Sequence, residues 1–112
     1  MKITNEKFLK IYNQETEKIE LLISNLFKNK KPKSLYEPCS YLLSGGGKRL
    51  RPFLVLISAK ASGGNFKEVY NAAIGIELLH NFTLAHDDIM DNSDLRRGRL
   101  TLHKKYDVNT AI

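Results

Sequence analysis

Residues 66–92, FKEVYNAAIGIELLHNFTLAHDDIMDN, read as a single helix, and the rest of the chain is arranged around it. At 1.5 Å per residue such a helix is about 40 Å long. Gly63-Gly64-Asn65 closes the segment before it. Upstream, Phe53 to Ser62 is apolar nearly all round, which predicts a buried third helix with Pro52 in its first turn. Ser44-Gly-Gly-Gly47 stops a shorter second helix, because consecutive glycines disfavour any regular element. That second helix reads from Ser34, with Glu37 three residues on as a capping box, through Leu43, and Pro38 blurs its start. Lys28 to Lys33 is a polar, proline-containing connector. Phe8, Ile11, Tyr12, Ile19, Leu22, Ile23 and Leu26 recur at helical spacing and predict a long amphipathic first helix from Asn5 to Phe27. No stretch alternates with period two, so no strands are expected and the fold class is all-α.

The chain has 112 residues, one domain's worth, with 42% hydrophobic and 27% charged residues. Those values exclude a disordered tail, a collagen-like fibre and a disulfide scaffold. The lone Cys39 makes a reducing, cytoplasmic compartment the default. The N-terminus has no apolar signal core. The longest apolar run, Pro52 to Ile57, is far short of the roughly 20 residues of a membrane span, so a soluble protein is expected. Residues 101–112 show neither a helix cap nor a polar tail, and residues 109–112 look like the start of another helix. Apolar faces would remain uncovered, which is the expectation for the front part of a longer protein.

Three motifs carry chemistry. Gly45-Gly-Gly-Lys-Arg-Leu-Arg-Pro52 combines a backbone that an anion can approach closely with three cations beside a helix start. It lacks the spacing of a P-loop, and a helix C-cap followed by solvated basic residues is the plain alternative. His86-Asp-Asp-Ile-Met-Asp-Asn-Ser-Asp94 places Asp87 and Asp91 one turn apart on one helix face, about 6 Å from each other. Acids at a helix C-terminus oppose the dipole, so a cation is expected to neutralise them. Hard oxygen donors in this number suit Mg²⁺ completed by water and phosphate oxygens. Leu95-Arg-Arg-Gly-Arg99 follows at once, and its guanidinium groups either pair with the acids or grip a phosphate. His80 lies two turns before Asp87 on the same face, with Thr83 there too. Glu77 reads either as an exceptional acid on a buried helix or as an interhelical salt-bridge partner, without chemistry, and His86 and His103 as structural or supporting residues.

In order and spacing, residues 46–52, Glu77-Leu-Leu-His-Asn-Phe82, Asp87-Asp-Ile-Met-Asp91 and Arg96-Arg-Gly98 resemble the trans-isoprenyl diphosphate synthases, the polyprenyl synthetases that include farnesyl and geranylgeranyl diphosphate synthases. The resemblance covers about residues 35–112. It implies the N-terminal part of an all-α isoprenoid synthase bundle, with 1–112 a partial prenyltransferase domain. The implied reaction is a Mg²⁺-dependent condensation of isopentenyl diphosphate with an allylic diphosphate. The allylic C1–O bond ionises, the isopentenyl double bond attacks, and a proton is lost. Position by position, Asp87 and Asp91 would hold Mg²⁺, with Asp88 a third carboxylate of the motif. Lys48, Arg51, His80 and Arg97 would hold the isopentenyl diphosphate, and Arg96 the allylic one. Phe82 and Thr83 would line the pocket that sets product length, favouring C15–C20. A homodimer is implied as well.

Departures from the family pattern are Leu100 where Pro is common and Asp107 where Gly is common. A second Asp-rich motif has no counterpart here, so this stretch is expected to be inactive alone. A class I terpene cyclase would consume only one diphosphate, which the second basic motif argues against. A non-catalytic partner subunit of a synthase is the other reading. Nucleic-acid binding is not expected despite the net charge of +6, because the cations are scattered and no aromatics interleave with them.

Overall fold

The hydroxyl of Thr4 accepts a hydrogen bond from the Lys7 amide at 3.2 Å, and this cap starts the first helix. In the computed structural model, which describes residues 4–112, α1 runs Asn5–Leu26, α2 Lys33–Ser44, α3 Leu50–Ala61 and α4 Tyr70–Met90. Two short helices, α5 (Leu102–Lys105) and α6 (Val108–Ala111), complete an all-α architecture. Ile19 and Ile23 of α1, Leu43 of α2, Leu56 of α3 and Ala73 and Ile74 of α4 form the main core. Leu56 and Ile19 are fully buried, and each contributes about 1.5–3 kcal/mol by leaving water. A second cluster, Ala85, Leu102 and Ala111 with Tyr41, Leu42 and Ile89, fastens the C-terminal segment beneath the end of α4.

Several sequence expectations need correction. The Ser34–Glu37 capping box does not form; Pro32 is the N-cap of α2, without a side-chain cap bond. The missing amide of Pro38 removes one bond from the middle of α2, but the helix continues to Ser44. Helix α3 begins three residues before Phe53, and only Pro52, Phe53 and Leu56 are buried along it. Leu54, on its outer side, is 60% exposed, so an apolar composition did not mean burial all round.

The expected helix over 66–92 is interrupted at its start. Phe66–Glu68 form a 3₁₀ turn, and Val69, at φ −124 and ψ 9, separates it from α4. At the other end Asn92 takes the left-handed conformation, φ 50. The Ser93 amide bonds to the Asp88 carbonyl and the Asn92 amide to that of Ile89, which closes α4 as a Schellman turn.

A short hairpin follows where no strands were expected, within an architecture that remains all-α: Leu95–Arg96 pairs antiparallel with Arg99–Leu100. Its central residues, Arg97 and Gly98, both have positive φ, 52 and 75, as a type I′ turn requires. Two-residue strands are too short to show alternation, so pattern reading misses them. The C-terminal segment also has the cap that was not expected, since the Asp107 carboxylate accepts from the Thr110 amide at 2.7 Å.

Candidate functional site

The buried face of α4 is made by Ala73, Ile74, Glu77, Asn81, Ala85 and Asp88. Three of these six are polar, an arrangement that is stable only if each finds a partner. Glu77 meets Arg49, whose Nη1 donates to Oε1 at 2.9 Å. Asn81 donates to the Glu77 carbonyl at 2.8 Å and to the same carboxylate at 3.1 Å. Asp88 is gripped by Arg96 through a fork, Nε to Oδ2 at 2.7 Å and Nη2 to Oδ1 at 2.8 Å. Hydrogen bonding to Asp88 holds the Arg96 guanidinium above its ordinary pKa against the cost of its burial, with the charges of Asp87 and Asp91 adding to the effect.

The glycine turn leads its cations in two directions. Arg49 is itself left-handed, φ 51 and ψ 37, and its side chain is buried. Besides Glu77 it donates to the Leu43 carbonyl at 2.7 Å and to Glu20 of α1. Burial works against its charge, yet the bonds to Glu20 and Glu77 outweigh that and raise its pKa. Lys48 and Arg51 stay exposed. The Tyr12 hydroxyl donates to the Lys48 carbonyl and ties the turn to α1.

The turn and the hairpin meet at Gly47. Arg97 donates from Nη1 to the Gly46 carbonyl at 2.7 Å. A Cβ at Gly47 would lie 3.0 Å from Arg97 Nη2 and crowd it, and the backbone there, φ 131, itself favours glycine. The result is a cleft of about 310 Å³ lined by Gly47, Lys48, Arg49, Leu50, Arg51, Glu77, His80 and Arg97. Arg51 Nη1 and His80 Nε2 lie 3.1 Å apart. Burial, then the charges of Arg51, Arg97 and Arg96, push the imidazole pKa down, with Glu77 opposing. A cleft with this many cations and one carboxylate turned inward favours a multiply charged anion.

Asp87 and Asp91 lie at the end of α4, both exposed. Among the described residues no three His, Cys, Asp or Glu side chains are grouped to hold a metal ion. The two exposed carboxylates fit Mg²⁺ in its usual manner, with one or two protein oxygens and the remainder from water and phosphate. Asp88 is not available to a metal in this arrangement, being 4% exposed and forked by Arg96.

The arginines expected to act together are divided. Arg96 serves Asp88, Arg97 the cleft, and Arg99 lies over the Tyr41 ring, 4.1 Å from its centroid, and donates to the Ser44 hydroxyl at 3.2 Å. An apolar cavity of about 550 Å³ opens between α2, α4 and the C-terminal segment, with Phe82, Ala85 and His86 on its α4 wall. Phe82 is among its lining residues. Thr83 is not: its hydroxyl turns back to the His80 carbonyl at 2.6 Å. Of the two readings of Glu77 the structure shows the salt bridge, whereas Arg49 had been given no role of its own and Asn81 was not singled out. The signal for Asn81 was its spacing, four residues from Glu77 and seven from Asp88 on one face.

A family model described as polyprenyl synthetase matches residues 32–112. A geranylgeranyl pyrophosphate synthase of Geoglobus acetivorans is 48% identical over 90 residues, covering 80% of this chain and 28% of that protein. A geranylgeranyl diphosphate synthase of Methanosarcina mazei is 45% identical over 94 residues, covering 84% of this chain and 29% of its own length. The crystal structure of geranylgeranyl pyrophosphate synthetase from Pyrococcus horikoshii superposes with a TM-score of 0.86 at 41% identity, over 96% of this chain and 33% of that one. The chain therefore spans about 30% of the length of the relatives it matches.

Proposed function

Because the chain belongs to the polyprenyl synthetase family, we propose that it supplies the substrate-binding part of a Mg²⁺-dependent short-chain trans-prenyltransferase. In this reading Lys48, Arg51, His80 and Arg97 hold the diphosphate of isopentenyl diphosphate. Asp87 and Asp91 hold magnesium, which when bound offsets negative charge on the allylic diphosphate as it leaves. Arg96 stands beside these acids and is anchored by Asp88 through Nε and Nη2. Fixed guanidinium groups need no reorganisation as charge develops on the departing group.

One observation carries the proposal. Lys48, Arg51, His80 and Arg97, from three separated segments, meet at one cleft of about 310 Å³, and one of them, His80, lies on the helix that ends at the acidic pair. Two anion sites on one helix suit a condensation of two diphosphates better than a cyclase, which consumes one. Phe82, at the wall of the apolar cavity, would limit the prenyl tail, and the geranylgeranyl names of the relatives support a C15–C20 product. Homodimeric assembly and a cytoplasmic location belong to the same reading; no helix among the described residues is long and apolar enough to cross a membrane.

Calorimetric titration of the protein with isopentenyl diphosphate is the test. Micromolar to millimolar binding that falls at least tenfold in Lys48→Ala and in Arg51→Ala is expected. Binding unchanged by both substitutions would remove the assignment of the cleft.

A further inference from the structure

We propose that Arg49 is the positioning residue of the anion cleft: it touches no ligand, but its inward fork fixes the turn that presents Lys48 and Arg51. The inference deepens the reading above and rests on it.

Arg49 stands between two cleft cations in sequence, yet its side chain turns in among the helices and is 2% exposed, while Lys48 and Arg51 stay exposed. The left-handed backbone of Arg49 is what separates it from them, and a non-glycine residue holds that conformation only when its surroundings enforce it. The enforcement comes from three helices at once. The guanidinium bonds to Glu20 on α1, to the Leu43 carbonyl at the end of α2 and to Glu77 on α4. The turn is thereby fixed in its middle, and the Tyr12 hydroxyl fixes it again one residue earlier.

Glu77 gives Arg49 a second task. One carboxylate oxygen, Oε1, takes bonds from Arg49 and Asn81, while Oε2 is buried with no partner among the described residues. The same residue lines the cleft. Without Arg49 its full negative charge would bear on the anion that Lys48 and Arg51 are placed to hold. Arg49 therefore both sets the geometry of the cleft and keeps its field positive. Only a guanidinium, with several donors in one plane, reaches two carboxylates and a carbonyl together.

Inorganic diphosphate, titrated calorimetrically into the protein, separates this role from mere structural support. Arg49→Lys keeps the charge but not the fork, and its affinity is expected to fall about tenfold while circular dichroism shows a folded helical protein. The double variant Arg49→Met with Glu77→Leu replaces the buried ion pair by apolar side chains, a change that often preserves stability. It is expected to recover the melting temperature lost in Arg49→Met alone while affinity stays at least tenfold below wild type. Leu56→Ala, a core change remote from the cleft, sets the scale for destabilisation alone and should leave affinity within about twofold. Affinity that returns together with stability in the double variant, or is retained in Arg49→Lys, overturns the proposal. Absence of diphosphate binding by the wild type, or binding indifferent to Lys48→Ala and Arg51→Ala, instead overturns the cleft assignment and takes the inference with it.

Discussion

His80 accepts a hydrogen bond from Arg51, Nη1 to Nε2 at 3.1 Å. A guanidinium can only donate, so the imidazole is neutral and carries its proton on Nδ1. Its lowered pKa, caused by burial and then by Arg51, Arg97 and Arg96 against the opposing charge of Glu77, agrees with a neutral ring. An unfolded chain therefore binds a proton at His80 more readily than the folded one. Stability from this site is present above the ordinary histidine pKa of about 6.5 and declines as pH falls through it. Urea titrations between pH 5 and 8 should show this decline in the wild type and a shallower one in His80→Gln.

Anion binding should reverse the sign. A diphosphate seated on Lys48, Arg51 and Arg97 offsets the charges that keep His80 neutral, so its pKa rises on binding. Affinity is then greatest at low pH and is lost as pH rises through the raised value. Imidazole proton resonances followed by NMR with and without inorganic diphosphate give the shift directly. An unchanged His80 titration would contradict it.

The three acids of the motif should respond in opposite ways. Asp88 is buried and forked by a half-buried Arg96, so Asp88→Asn should cost about 1–3 kcal/mol in thermal or chemical unfolding. Asp87 and Asp91 are exposed at the negative end of α4. Asp91→Asn should therefore leave stability unchanged or raise it by about 0.3–1 kcal/mol. The double change Asp87→Asn with Asp91→Asn should nevertheless abolish any magnesium dependence of diphosphate binding, read by calorimetry with and without the ion.

The two neighbouring glycines make a further contrast. Both Gly46 and Gly47 have positive φ, 82 and 131, so an alanine at either is strained by about 1–3 kcal/mol. A Cβ at Gly46 meets nothing within 4 Å, while at Gly47 it crowds the Arg97 guanidinium, which must shift by a few tenths of an ångström. Gly47→Ala should therefore weaken diphosphate binding about tenfold more than Gly46→Ala, at comparable loss of melting temperature.

Leu56 contacts the main core at full burial, so Leu56→Ala should lower unfolding free energy by about 2–5 kcal/mol, the range for cavities of this type. Denaturant unfolding followed by circular dichroism measures it.

Much of this architecture was legible in one dimension. The bounds of α1 come from apolar residues at helical spacing and agree within a residue. The placement of His80, Asp87 and Asp91 along one face of α4 follows from spacing alone, since residues four or seven apart share a helix face. The family resemblance, carried by short motifs in fixed order, rests on the same local information.

Partner choice was not legible, because it depends on contacts between segments far apart in the chain. Arg49 and Arg51 are two residues apart and chemically alike, yet one is buried on Glu77 and the other is exposed at the cleft. Asp87 and Asp88 are adjacent, and helix rotation by about 100° per residue turns one to solvent and the other to Arg96. Likewise the hairpin at Arg96–Arg99 is held by Arg97 reaching Gly46, a contact 51 residues away. Local sequence sets which side chains share a helix face; long-range packing sets which charge is neutralised inside and which is left for a ligand, because each buried charge must find its counterpart before the chain can close around it.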